Sequence, residues 1–207
     1  MQTQSRIMLC SALMLASVTA ANANESHCMS DVGEQRAATP DNVFVQVNND
    51  VISHTETGLQ WARCAIGQQA NASQCSGQAT AFTWHEAGQA VATLNRQRYA
   101  GHADWRLPSV EELKSLVENC REAPSINTTI FSNTPWAGFW TSSLHEDRQN
   151  EYKADHVDTD AKFGAHKDDN EEEVKDGPEA WFVGFYQGLE YPYSMQSSYR
   201  VRPVRTP

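Results

Sequence analysis

Asp104-Trp105-Arg106-Leu107-Pro108-Ser109-Val110-Glu111-Glu112-Leu113 is the stretch whose reading decides the fold. An aromatic and a cation end an extended segment, Pro108 breaks it, and an amphipathic helix begins at once. Ser109 is placed to accept from the backbone N–H of Glu112, while the Glu112 side chain reaches back to the Ser109 backbone, as in a capping box. The spacing predicts a helix over about 109–119 with Val110, Leu113 and Val117 turned inward. Within ten residues the chain therefore writes a strand-to-helix junction. A second extended segment, Leu59-Gln60-Trp61, lies upstream behind the break at Thr57-Gly58.

Outward from the junction, Thr83 and Glu86 make another capping box, and Trp84, Ala87, Val91 and Leu94 recur at helical spacing, which predicts a helix over 83–97. Val43 to Val47 reads as a β-branched strand, Asn48-Asn49-Asp50 as a turn and Val51 to His54 as the return strand. Residues 65–80 read as a small-residue loop, and the chain after Pro124 as irregular up to Pro135. Phe139 to Ser143 and Ala180 to Phe185 are strands, and Tyr199 to Arg205 alternates apolar and basic, the pattern of a last strand with one wet face. Strands, two helices, then strands again make an α+β order: two helices packed on a small, mostly antiparallel sheet with long irregular loops.

The N-terminus carries one charge, Arg6, then a largely apolar run from Ile7 to Val18 and the small-x-small triplet Ala21-Asn22-Ala23. This is the form of a secretory signal cut after Ala23, and the run is shorter than the roughly 20 residues a bilayer span needs. The expected organisation is a signal peptide over 1–23, an N-terminal arm over 24–42 and one domain over 43–207. With the signal removed, the formal charge of −10 becomes −11, which repels nucleic acid and anionic lipid. Of the 26 acidic residues, 13 fall between Glu146 and Glu179, where only five basic residues accompany them. That segment reads as a long solvated insertion between two strands.

Without Cys10, four cysteines remain, an even number for an oxidising compartment. Four cysteines allow three pairings. Cys64 and Cys75 bracket a polar small-residue segment that closes naturally, so Cys64–Cys75 is the favoured bridge, and Cys28–Cys120 follows by elimination. No C-x-x-C suggests a thiolate metal site or a redox pair.

Taken in order, Thr57-Gly58-Leu59-x-Trp61, Cys64, Thr83-Trp84-x-Glu86-Ala87, the 104–113 junction, Ile126-Asn127, Phe131, Phe139-Trp140-Thr141-Ser142-Ser143 and Tyr199-Arg200-Val201-Arg202-Pro203-Val204-Arg205 form a pattern that resembles the Lcl C-terminal domain family over about 43–207. The resemblance implies an exported bacterial protein with a C-type-lectin-like fold related to the formylglycine-generating-enzyme group. The founding adhesin's domain is implicated in attachment and in binding sulfated polysaccharide. This chain departs from the pattern twice: Asn48-Asn49-Asp50 stands where a Gly-Asp-Gly turn is usual, and the segment between Trp140 and Trp181 is expanded and acidic. An acidic insertion repels a sulfated glycan, so that ligand does not carry over.

Five tryptophans, Trp61, Trp84, Trp105, Trp140 and Trp181, sit on apolar faces and are expected in the core, whereas Trp136, beside Pro135 and Gly138, is expected to be exposed. Asp104 and Arg106 read as an ion pair fixing the junction, with ligand binding as the alternative use. In the insertion, Asp155, Asp158 and Asp160 offer oxygens to Ca²⁺. Yet Asp158-x-Asp160 runs into Lys162 and Phe163 where an EF-hand needs a ligand and a glycine, so a solvated charge run is the expected reading and no metal is assigned. His145, His156 and His166 lack zinc-ligand spacing. No G-x-S-x-G, H-E-x-x-H or phosphate loop occurs. The expectation is a non-catalytic, exported domain that binds an extracellular or surface ligand, glycan or protein, through loops around Trp136 and after Trp140, with Trp136, His145, Asp155, Asp158 and Asp160 as candidate contacts. The rival readings are a relative of the formylglycine-generating oxidases and a structural envelope protein whose insertion binds Ca²⁺.

Overall fold

The computed structural model describes residues 27–30, 33–72, 74–145 and 178–207; for 27–36 only the backbone is described. The signal segment and nearly all of the acidic insertion, with Asp155, Asp158, Asp160, His156 and His166, lie outside the described residues. The chain is α+β, with two helices and several antiparallel sheets. The arm forms a hairpin of β1 (His27–Ser30) and β2 (Gly33–Arg36). A four-stranded sheet follows from β3 (Phe44–Gln46), β4 (Val51–His54), β5 (Leu59–Ala62) and the distant β11 (Val204–Arg205), in the order β11-β5-β4-β3. A three-stranded sheet, ordered β10-β9-β8, is made by β8 (Gly138–His145), β9 (Glu179–Gly184) and β10 (Leu189–Ser194).

Helix α1 (Trp84–Arg96) starts on Thr83 and α2 (Val110–Lys114) on Ser109, each with a complete reciprocal capping box. The helices serve two cores. Leu113 and Leu116, at and just after α2, pack with Phe139, Val183 and Phe185 and with Ile52 and Trp61 of the four-stranded sheet. Ala87 and Val91 of α1 pack with Trp105, Trp140, Ala180 and Val201. Successive residues of β8, Phe139 and Trp140, thus enter opposite cores. That explains the adjacent apolar residues Phe139-Trp140 in β8 and Ala180 to Val183 in β9: where both faces of a sheet are covered, apolar residues need not alternate with polar ones.

Several readings need correction. The 65–80 segment is not loop throughout, because β6 (Gln69–Asn71) and β7 (Gln74–Ser76) form a small hairpin inside it. The Cys64–Cys75 bridge closes it, with both cysteines buried. Cys120 is also disulfide-bonded, while the side chain of Cys28 lies outside the described residues. Helix α2 stops at Lys114, four to five residues early. Ser115 Oγ donates to the Glu112 carbonyl (2.7 Å), and the Leu116 and Val117 N–H groups bond three residues back, tightening the chain into turns before Val117 bridges Ile126. The last apolar-basic run is strand only at Val204–Arg205 and has no wet face, since Arg202 is 0% exposed. Its guanidinium donates to the Ala62 carbonyl (3.0 Å), the Arg63 carbonyl and Thr134 Oγ1 (2.7 Å), and lies over the Phe131 ring at 4.8 Å. Burial pushes its pKa down, but fixed acceptors and a ring face replace water around it.

Candidate functional site

In the 104–113 junction Trp105 is buried, and the half-exposed Asp104 and Arg106 are paired with other side chains of the fold. Asn95 of α1 clamps the Trp105 backbone from both sides, its Oδ1 accepting from the Trp105 N–H and its Nδ2 donating to the Trp105 carbonyl, each at 2.8 Å. The Trp105 indole N–H donates to the Tyr99 carbonyl (3.0 Å). Asp104 and Arg106 do not pair with each other. Arg106 forks onto both carboxylate oxygens of Glu112 at 2.7 Å, while Asp104 receives the fork of Arg205 at 2.9 and 3.1 Å. The backbone brings the partners in: Arg106 bridges Val204, which sets the neighbouring Arg205 within reach of Asp104, while Glu112 of the capped helix reaches back to Arg106. The Arg106 fork is the main cause that holds the Glu112 carboxyl below its usual pKa.

The exposed aromatics lie elsewhere. Trp136 is 63% exposed, as its surroundings predict, and its ring centroid sits 5.7 Å from that of Tyr186 in the turn joining β9 to β10. Along the edge strand β10, Leu189, Tyr191 and Tyr193 point the same way, the two tyrosines each 46% exposed. They rest on a built foundation. Phe182 lies 5.9 Å from Tyr191 and 6.2 Å from Tyr193, and it stacks on Tyr199 at 4.3 Å, which in turn meets buried Trp140 edge-on at 4.8 Å. Gly138 permits this stack, because a Cβ there would stand 2.5 Å from the Tyr199 ring. Strand β10 escaped the sequence reading because Pro192 interrupts it, although Leu189-x-Tyr191-x-Tyr193 has the period of two that marks a strand face.

Trp136 and the acidic insertion do not share a base. Trp136 precedes the first residue of β8, and the insertion leaves from its last, His145, eight residues or about 25 Å along the strand. At that far end His145 faces Glu179 in register, with Nδ1 2.9 Å from Glu179 Oε2 and its ring edge-on to Trp181 at 5.5 Å. His145 thus fastens the neck of the insertion; of the two candidate contacts among the described residues, Trp136 joins the aromatic surface and His145 does not.

A cleft of about 400 Å³ opens on the other core's side. Its walls come from the arm (Ala38, Thr39), the end of β4 and the turn after it (His54, Glu56, Thr57), the end of α2 and the chain after it (Lys114, Ser115, Val117, Asn119) and the β9–β10 turn (Gly188). His54 is 3% exposed, packs 4.8 Å from the Phe44 ring, and its Nδ1 finds no partner among the described residues. Burial lowers its pKa and Glu56 only partly opposes this, so the ring is held neutral. Sequence reasoning passed over His54, although a histidine two residues after Ile52 on an inward strand face was the available signal.

Beside the cleft, Glu118 anchors the arm. Its carboxylate accepts from the N–H groups of Ala38 (3.0 Å), Thr39 (2.8 Å) and Cys120 (3.1 Å) and from Thr39 Oγ1 (2.9 Å). Asn127, buried, donates to the Thr39 carbonyl and to Asp41, which makes its Asn-Thr-Thr triplet a fastening point of the fold.

The family model of the Lcl C-terminal domain matches residues 50–205. The chain belongs to the Lcl C-terminal domain family. No curated protein and no solved structure matches it. The matched span of this Lcl domain takes in both signature segments, both helices and all of β8 to β11, and leaves the arm outside. Among the described residues, no helix of this Lcl domain is long and apolar enough to cross a membrane.

Proposed function

We propose that this Lcl C-terminal domain is an exported, non-catalytic binding module on a C-type-lectin-like scaffold, and that its ligand, a glycan or protein at or outside the cell surface, docks on the face made by Trp136, Tyr186, Tyr191 and Tyr193. One observation carries the reading: four large aromatic side chains stand about half or more in water, and the two on β10 rest on a stack of half-buried rings. Exposed aromatic groups gathered in this way mark recognition surfaces, because a rigid ring contributes contact area at little entropic cost. Pro192 removes a backbone donor from the edge strand, which favours recognition through side chains over addition of a further strand. The state of the cysteines also supports a binding role. Cys64, Cys75 and Cys120 are oxidised and present no thiolate for the copper chemistry of the formylglycine-generating class.

The test is a glycan-array and surface-protein screen with the full chain, followed by titration of the ligand found. Trp136→Ala and the pair Tyr191→Ala with Tyr193→Ala are expected to weaken binding about tenfold or more while melting stays close to the parent. Binding indifferent to all three substitutions, or turnover of a substrate with no ligand found, would overturn the reading.

A further inference from the structure

We infer that the cleft at His54 is a second ligand site, one that takes a neutral, hydroxyl-rich unit such as the end residue of an uncharged saccharide. This goes beyond the aromatic-face reading, because it concerns a different surface and a different set of side chains.

Four segments distant in sequence build the cleft: Thr57 comes from the upstream signature segment, and Lys114 and Ser115 follow directly on the 104–113 segment. Its volume lies within the range of small-molecule sites. Its shape is held from both ends. Glu118 pins the arm that carries Ala38 and Thr39. Gly188, at φ +75°, lets the β9–β10 turn approach so closely that a Cβ would stand 2.4 Å from Val117 Cγ1.

The lining decides the ligand class by elimination. Lys114 Nζ is 2.7 Å from Glu190 and 3.9 Å from Glu111, so its charge is already answered, and Glu56 adds a further carboxylate at the rim. An anion therefore meets more negative than positive charge. Among the described residues no three His, Cys, Asp or Glu side chains converge, so the cleft is no cation cage. A purely apolar ligand offers nothing to His54, whose buried Nδ1 has no partner among the described residues, or to the Thr57 hydroxyl and the Asn119 carboxamide at the exposed rim. A neutral polyol offers partners to such groups, because each hydroxyl both donates and accepts. The neutral imidazole of His54, which keeps one nitrogen as donor and one as acceptor, suits the same ligand.

The inference is tested by titrating the ¹⁵N-labelled full chain with glucose, galactose, mannose and N-acetylglucosamine, with glucuronate and glucosamine as charged counterparts, and following the His54 ring nitrogens. At least one neutral sugar is expected to shift them saturably. Asn119→Trp and Thr57→Trp, two exposed rim positions that fill the cleft, should each weaken that response about tenfold or more, whereas Trp136→Ala and Tyr191→Ala should leave it intact. No saturable shift with any neutral sugar, a response confined to the charged ones, or a shift that survives both rim substitutions in folded protein would overturn it. The aromatic-face substitutions keep the two sites separable: loss of one response with retention of the other refutes only the site that failed.

Discussion

Two regions of this domain carry conspicuous aromatic and charged side chains, the junction at 104–113 and the hairpin at 179–194, and they use them in opposite ways. In the junction, Trp105 is buried, its backbone is held by Asn95, and Arg106 closes on a carboxylate that also caps α2. On the hairpin, Tyr186 and Tyr191 lie about half in water, beside the rings of Trp136 and Phe182. The contrast teaches that a recognisable motif and a recognition surface need not coincide. Residues that identify a fold do so because the fold consumes them, and residues left for a ligand are those the fold can spare.

The largest expected effect breaks the junction side of the contrast. Trp105→Ala should cost about 3–5 kcal/mol in urea unfolding, and a loss below about 1 kcal/mol would show that the ring is dispensable to the fold. Next, Glu118→Gln places an amide against four donors and should cost about 2 kcal/mol by the same measurement. Glu112→Ala removes a capping partner and a half-exposed ion pair, for about 1–2 kcal/mol.

The two carboxyls also set a pH dependence. At Glu118 burial alone would raise the pKa, but the donors around it together outweigh that and hold it below the ordinary 4.5; at Glu112 the Arg106 fork does so. Their stabilisation is present above 4.5 and is lost as pH falls through the lower folded values. A variant with both Glu112→Gln and Glu118→Gln should show a flatter acid limb in melting scans, and an unchanged limb would assign acid unfolding to other groups. The smallest stability effects belong to the hairpin side. Trp136→Ala and Tyr191→Ala should change unfolding by about 1 kcal/mol or less, while ligand binding falls. A larger stability loss would make those rings scaffold and erase the contrast.

Much of this was legible from residue order. Both capping boxes are local, because donor and acceptor lie three residues apart, and the structure forms both as read. The Cys64–Cys75 closure was legible for the same reason. The exposure of Trp136 followed from its irregular, proline-bounded setting, and the α+β order from the succession of periodicities.

What the chain did not announce depends on contacts between residues far apart in sequence. Arg202 looked like a wet-face cation and is interior, because three acceptors and two rings from residues 60 to 140 positions away converge on it. Asp104 and Arg106 looked like partners, and the pairing of Arg106 with Val204 gave each another mate. The aromatic face and the His54 cleft exist only once the β9–β10 hairpin is set against α2 and the arm. Sequence by itself determined the capped helices, the local bridge and the family, since these rest on near neighbours along the chain. Tertiary structure alone decided which charges are buried and where open surface remains, since burial is a property of what packs on a residue and not of the residue itself.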